Sequence, residues 1–197
     1  MGGTEGVDCI TAIAISQKAH LLAICEKGDL KATCSIYHLH SRKRQRVIPE
    51  NEGEISCKAK EFLGAVFCPK LPERYLVTLS GDPDWSVHLW QHDVFKCLAK
   101  IELSIAAPPA GSYFKISECN VSTDLTVVVT GPECYRYLHI NDGMNGFKVV
   151  HDKLKSKEKN WPLQSDNYTC HAWDQASKLV VCTEMGEIVI CDYNGMG

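Results

Sequence analysis

An apolar segment recurs four times along these 197 residues at nearly constant spacing, and that period constrains the fold more than any single motif. The runs 21–25 (LLAIC), 75–79 (YLVTL), 125–129 (LTVVV) and 178–182 (KLVVC) start 54, 50 and 53 residues apart. A glycine follows each, at Gly28, Gly81, Gly131 and Gly186, with intervals of 53, 50 and 55. Beyond each glycine lies another apolar run: 33–37 (TCSIY), 86–90 (SVHLW), 134–138 (CYRYL) and 187–191 (EIVIC). One more precedes each first run, at 10–15 (ITAIAI), 62–67 (FLGAVF), 113–116 (YFKI) and 168–173 (YTCHAW). A closing segment ends three of the units, at 46–48, 97–101 and 147–150.

Short runs rich in Val, Ile, Leu and Tyr, bounded by Gly, Asp, Asn or Pro, read as strands joined by turns. Units of three or four such strands, at the WD-repeat period of about 40–45 residues plus some loop, read as propeller blades. The sequence therefore predicts an all-β, WD-repeat-type β-propeller with about four blades, at 9–49, 54–103, 112–151 and 167–197 of a single region, 1–197. A lone four-stranded sheet cannot bury both faces. Stacked blades can, and their middle strands then lose polar alternation, as 125–129 does. The recurring glycines are expected to supply the positive φ of tight hairpins. A β-sandwich can also be written from short strands, but it does not predict glycines in register four times.

The WD signature itself is degenerate. Trp90 holds the usual place on a third strand, with Gln91 where Asp is typical; Tyr37-His38 and Cys191-Asp192 stand at the equivalent position, and no Gly-His opens a unit. Slightly under four units leads us to expect an arc of a larger propeller, or a disc that a partner chain completes.

Composition removes other classes. With 45% hydrophobic residues, 23% charged and a net charge of −3, the chain is too apolar and too weakly charged for disorder. Its apolar stretches are strand-sized, so no membrane partner is expected, and residues 1–6 do not read as a secretory leader. The negative charge argues against nucleic acid as a partner. Eleven cysteines, an odd number with no C-x-x-C pair, sit mostly in apolar runs and read as buried, reduced thiols in a reducing compartment, the cytoplasm.

Segments 10–16 (ITAIAIS), 21–26 (LLAICE), 35–37 (SIY) and 42–44 (RKR) resemble one blade of the WD-repeat cilia- and flagella-associated proteins. Segments 168–173 and 180–190 (VVCTEMGEIVI) are similar to a later blade of the same propeller. The resemblance implies two N-terminal propellers and a long coiled coil in the motile axoneme, with this chain matching part of the first propeller. It also implies a non-enzymatic scaffold of the ciliary or flagellar cytoskeleton, helping to dock or regulate inner-arm dyneins near the dynein regulatory complex. Partners would be inner-arm dynein or regulatory-complex subunits, and tubulin. The family carries no catalytic residues. The alternative is a non-ciliary WD-repeat adaptor, such as a ubiquitin-ligase substrate receptor or a trafficking-complex subunit. A propeller enzyme would need a convergent polar pocket, which no motif here announces.

The densest charge is Arg42, Lys43, Arg44 and Arg46, expected on a rim hairpin between third and fourth strands, where it is a solvated turn, a contact for an acidic partner or phosphate surface, or a nuclear-import signal. Lys153, Lys155, Lys157 and Lys159 read as a solvated loop. His38 and His40 share a strand face by their spacing but lack a third metal ligand; His88 and His92 bracket Trp90 as structural groups; His171, between Cys170 and Trp173, suits a core. No cofactor, metal or catalytic residue is expected. Residues 141–146 (NDGMNG) read as a hairpin turn, and the sequons at Asn120 and Asn167 matter only in a secreted chain.

Overall fold

The structure, a computed structural model, describes residues 7–49, 57–103, 105, 108, 112–118, 126–141, 143–154, 162–174 and 178–191. Its described elements are strands, in two compact units, Met1–Ser104 and Ile105–Gly197. The first unit holds β1 (Val7–Ser16), β2 (Leu21–Gly28), β3 (Thr33–His38) and β4 (Arg44–Ile48), then β5 (Phe62–Phe67), β6 (Tyr75–Ser80), β7 (Ser86–Gln91) and β8 (Lys96–Glu102). In the second are β9 (Lys115–Glu118), β10 (Thr126–Gly131), β11 (Cys134–Ile140) and β12 (Phe147–His151), then β13 (Tyr168–Trp173), β14 (Leu179–Thr183) and β15 (Ile188–Cys191). Three four-stranded sheets and one three-stranded sheet follow chain order, each an antiparallel meander.

Burial explains the patterning. Every residue of β6 and β10 is buried, so neither strand needs polar alternation. The fourth strands are wetter; β12 has no buried residue. Each unit has its own core. Leu21, Cys25, Ile36, Phe62, Leu76 and Trp90 pack together in the first, and Val128, Tyr135, Leu138, Tyr168 and Leu179 are buried in the second. By contrast, Ile10, Ile13 and Ile15 on β1, and Ile188 and Ile190 on β15, are each more than half exposed.

The repeat continues into the ladders. The pairing of third with fourth strand slips at Ile36/Tyr37, Leu89/Trp90 and Tyr137/Leu138, the same step in each four-stranded sheet. First and second strands slip at Ile10/Ala12, Phe62/Gly64 and Tyr168/Cys170. Such bulges add local twist.

The glycine expectation needs correction. Of the four glycines in register, Gly186 alone has positive φ, +80°. Six other hairpins place a side-chain-bearing residue in that region: His20, Arg42, Trp85, Phe95, Glu133 and Met144, at φ of 39–57°. Two of the other glycines serve close approach: a Cβ on Gly81 would stand 2.9 Å from Glu61 Cγ, and one on Gly131 2.3 Å from the Phe114 ring. Gly28 and Gly81 also donate their N–H groups to Lys60 O and Glu61 O, both at 3.0 Å.

Candidate interaction surface

The basic run lies on the β3–β4 hairpin. The turn closes through Arg42 N–H to His38 O at 2.8 Å and His38 N–H to Lys43 O at 3.0 Å, with Arg42 at φ +56°. Arg42, Lys43 and Arg44 are exposed. Arg46 is half-buried and turns inward, its guanidinium 2.9 Å from His92 Nδ1. A guanidinium only donates, so Nδ1 accepts, and His92 Nε2 carries the hydrogen it donates to Pro72 O at 3.0 Å. Burial, with Arg46 adding to it, keeps this imidazole neutral by lowering its pKa, against the opposing pull of the Pro72 carbonyl. The four basic residues thus divide: three form an outward cationic apex, and Arg46 ties β4 to His92 in the β7–β8 hairpin, which in turn bonds the β5–β6 loop at Pro72.

A histidine cluster flanks that apex. His40 lies 4.4 Å from His20 and 5.7 Å from His38 between ring centroids, while Ser41 N–H donates to His38 Nδ1 at 3.3 Å. The expectation that His38 and His40 share a strand face needs correction: β3 ends at His38 and His40 lies in the turn beyond it, so the turn and not strand alternation brings the rings together, while His20 joins from the β1–β2 turn.

The remaining candidates are structural. Trp90 donates its indole N–H to Thr78 Oγ1 at 2.8 Å, wholly within the first unit's core. His171 is buried in the second unit, with Nε2 2.6 Å from Ser117 Oγ and Nδ1 2.7 Å from Thr130 Oγ1, so both ring nitrogens are engaged and Cys170 has no free base beside it. Asn167 bridges: its Oδ1 accepts from Glu133 N–H at 3.1 Å and its Nδ2 donates to Glu184 Oε1 at 2.7 Å. The 141–146 turn closes through Asn141 N–H to Gly146 O at 3.0 Å. Lys153 is exposed; Lys155, Lys157, Lys159 and Asn120 lie outside the described residues.

Among the described cysteines, Cys25, Cys34, Cys68, Cys134 and Cys191 are buried, whereas Cys9 and Cys170 are exposed. Two pairs face each other across neighbouring strands, Cys25 with Cys34 and Cys170 with Cys182. One group of three metal-capable side chains converges among the described residues: Cys57, Asp84 and His88. The sequence reading missed it because its members come from a segment before β5, from the β6–β7 turn and from β7.

No protein-family model matches the chain. Over 192 residues, 96% of its length, it is 25% identical to cilia- and flagella-associated protein 57 of Mus musculus, of which that stretch is 14%. Its alignment with cilia- and flagella-associated protein 57 C of Tetrahymena thermophila is also 25% identical, covering 98% of this chain and 18% of that protein. The chain thus spans less than a fifth of these curated relatives. Among solved structures, Sqt1 of Saccharomyces cerevisiae matches 97% of the chain with a TM-score of 0.67 and 12% identity, over 46% of its own length. The Dos1 propeller matches 93% with a TM-score of 0.66 and 12% identity, over 41% of its own length. The chain has the WD-repeat β-propeller fold, and along nearly all of its length it is similar to cilia- and flagella-associated proteins.

Proposed function

We propose that this chain is a non-enzymatic scaffold of the motile ciliary or flagellar axoneme, part of the first propeller of a protein like the axonemal member formerly called WD repeat-containing protein 65. It helps dock or regulate inner-arm dyneins beside the dynein regulatory complex. The observation that carries this reading is a likeness over 96% of the chain to a protein named for cilia and flagella, on a fold that works by surface complementarity. We take 1–197 as one propeller region with blades at 9–49, 54–103, 112–151 and 167–197. The open isoleucine rows on β1 and β15 support further blades or a partner chain against them.

Arg42, Lys43 and Arg44 form the contact we assign to an acidic partner, an axonemal subunit or a tubulin tail. Arg46 supports that apex from within through His92. Tagged protein should remain with detergent-extracted axonemes, and its loss should reduce inner-arm content and alter the beat. A tag confined to the cytosol, or loss without effect on beat or inner arms, overturns the reading in favour of a non-ciliary adaptor.

A further inference from the structure

In the first unit a thiol, a carboxylate and an imidazole meet where a backbone segment passes a hairpin. Asp84 sits in the β6–β7 turn, its N–H donating to Gly81 O at 3.0 Å. The segment entering β5 is pinned against that turn: Lys58 N–H donates to Asp84 Oδ2 at 2.7 Å and Lys60 N–H to Asp82 O at 3.0 Å. Cys57 immediately precedes these anchors. His88 follows Asp84 by four residues on β7 and stacks on Trp90, with ring centroids 5.5 Å apart. One donor atom from each of Cys57, Asp84 and His88 lies within 4.8 Å of the others.

His88 supplies a second observation. Its side chain is fully buried, its Nδ1 is 3.5 Å from Ser80 Oγ, and its Nε2 has no hydrogen-bond partner. The nearest carboxylate oxygen, Asp84 Oδ2, is 3.9 Å away, too far for a hydrogen bond. Buried polar atoms in folded proteins are nearly always satisfied, so an orphan nitrogen aimed at a carboxylate and a thiol asks for a ligand. An ion pair with Asp84 does not answer it. Lys100 Nζ already stands 3.4 Å from Asp84 Oδ1, and burial together with Lys100 holds the His88 pKa down at about 4. Neutral imidazole is the form that ligates metals.

We propose that Cys57, Asp84 and His88 bind a divalent transition-metal ion of the zinc class, tying the segment before β5 to the β6–β7 turn. One thiolate, one imidazole and one carboxylate suit zinc or cobalt, whereas calcium and magnesium take oxygen donors. Metal–donor bonds of about 2.0–2.3 Å put tetrahedral donors about 3.5 Å apart, so closing round an ion needs side-chain shifts on the order of 1 Å. Cys57 is a protonated thiol without metal, burial pushing it up to about 11, so binding releases one proton. The fourth position takes water, as in zinc sites with three protein ligands.

The test is cobalt titration of the reduced 197-residue chain. We expect one equivalent to give a thiolate-to-cobalt charge-transfer band, and zinc to displace it. Cys57→Ser and His88→Gln should each weaken zinc binding at least tenfold, with the Cys170→Ser/Cys182→Ser variant binding as the parent does. Cys57→Ala, at a half-buried position and checked for fold by circular dichroism, should also lose the band. No band in the parent, a band undiminished in a folded Cys57 variant, or its loss in the Cys170/Cys182 variant overturns the proposal.

Discussion

His171 Nε2 on β13 and Ser117 Oγ on β9 lie 2.6 Å apart, a polar bond that joins the two sheets of the second unit. Around it Thr130 Oγ1 engages the other ring nitrogen at 2.7 Å, Trp173 donates its indole N–H to Ser117 Oγ at 3.1 Å, and Lys115 Nζ donates to His171 O at 2.7 Å. Replacing His171 with Leu removes the ring and orphans a buried Thr130 hydroxyl. Each orphan costs about 1–3 kcal/mol, and a two-bond loss should lower stability by about 2–5 kcal/mol in urea unfolding. A Ser117→Ala/His171→Leu cycle should show strong coupling between the two sites.

Acid should weaken the second unit through the same ring. Burial, aided by the Lys115 charge, lowers the His171 pKa from 6.5 to about 3. The unfolded chain takes up a proton as pH falls through about 6.5 and the folded one does not, so the contribution is complete above 6.5 and drains away towards pH 3. The slope of unfolding free energy between pH 6.5 and 4 should flatten in His171→Gln. An unchanged slope would assign the acid sensitivity elsewhere.

The bond between Trp90 and Thr78 gives a parallel test in the first unit. Thr78→Val leaves the buried indole N–H unpaired and should cost about 1–3 kcal/mol. Trp90→Phe with Thr78→Val should recover part of that loss, because both polar atoms then vanish together. Thermal or chemical unfolding of the four-protein cycle measures it.

Gly131 and Gly186 should respond to alanine for different reasons. Gly131→Ala drives a Cβ into Phe114, a misfit of about 1–3 kcal/mol that Phe114→Leu should relieve. Gly186→Ala meets no atom within 4 Å but forces a side chain onto φ +80°, costing on the order of 1 kcal/mol with nothing nearby to rescue it.

Charge reversal separates the apex from its support. Arg42→Glu, Lys43→Glu and Arg44→Glu change exposed side chains and should move stability by less than about 0.5 kcal/mol each while abolishing capture by an acidic partner. Arg46→Ala takes the donor from buried His92 and should destabilise the fold by about 1–3 kcal/mol. Pull-down of acidic tubulin-tail peptides, run beside thermal melts, distinguishes the two behaviours.

The strands were legible because each consists of a few residues whose burial shows directly in their apolarity. β6 and β10 are covered on both faces and read as unbroken apolar runs. One strand is displaced. The run at 113–116 begins two residues before β9: Phe114 is buried with its ring beside Gly131, and Tyr113 is exposed. Contacts that depend on register were not legible. Arg46 meets His92 from 46 residues away, and Cys57 meets Asp84 from a different segment of chain. Gly81 and Gly131 marked the right places for the wrong reason, since close approach and positive φ select the same residue, whereas Gly186 has the positive φ expected.

Those six side-chain-bearing turn residues make the hairpins tunable. A glycine at any of them would relax the backbone, yet at His20, Arg42 and Glu133 it would also erase an outward group, and at Met144 a buried plug. A glycine scan of the turns, read by thermal melts and by capture of an acidic peptide, therefore sorts them. Apices that gain thermal stability but lose recognition are the molecule's working surface; those that lose stability are rivets.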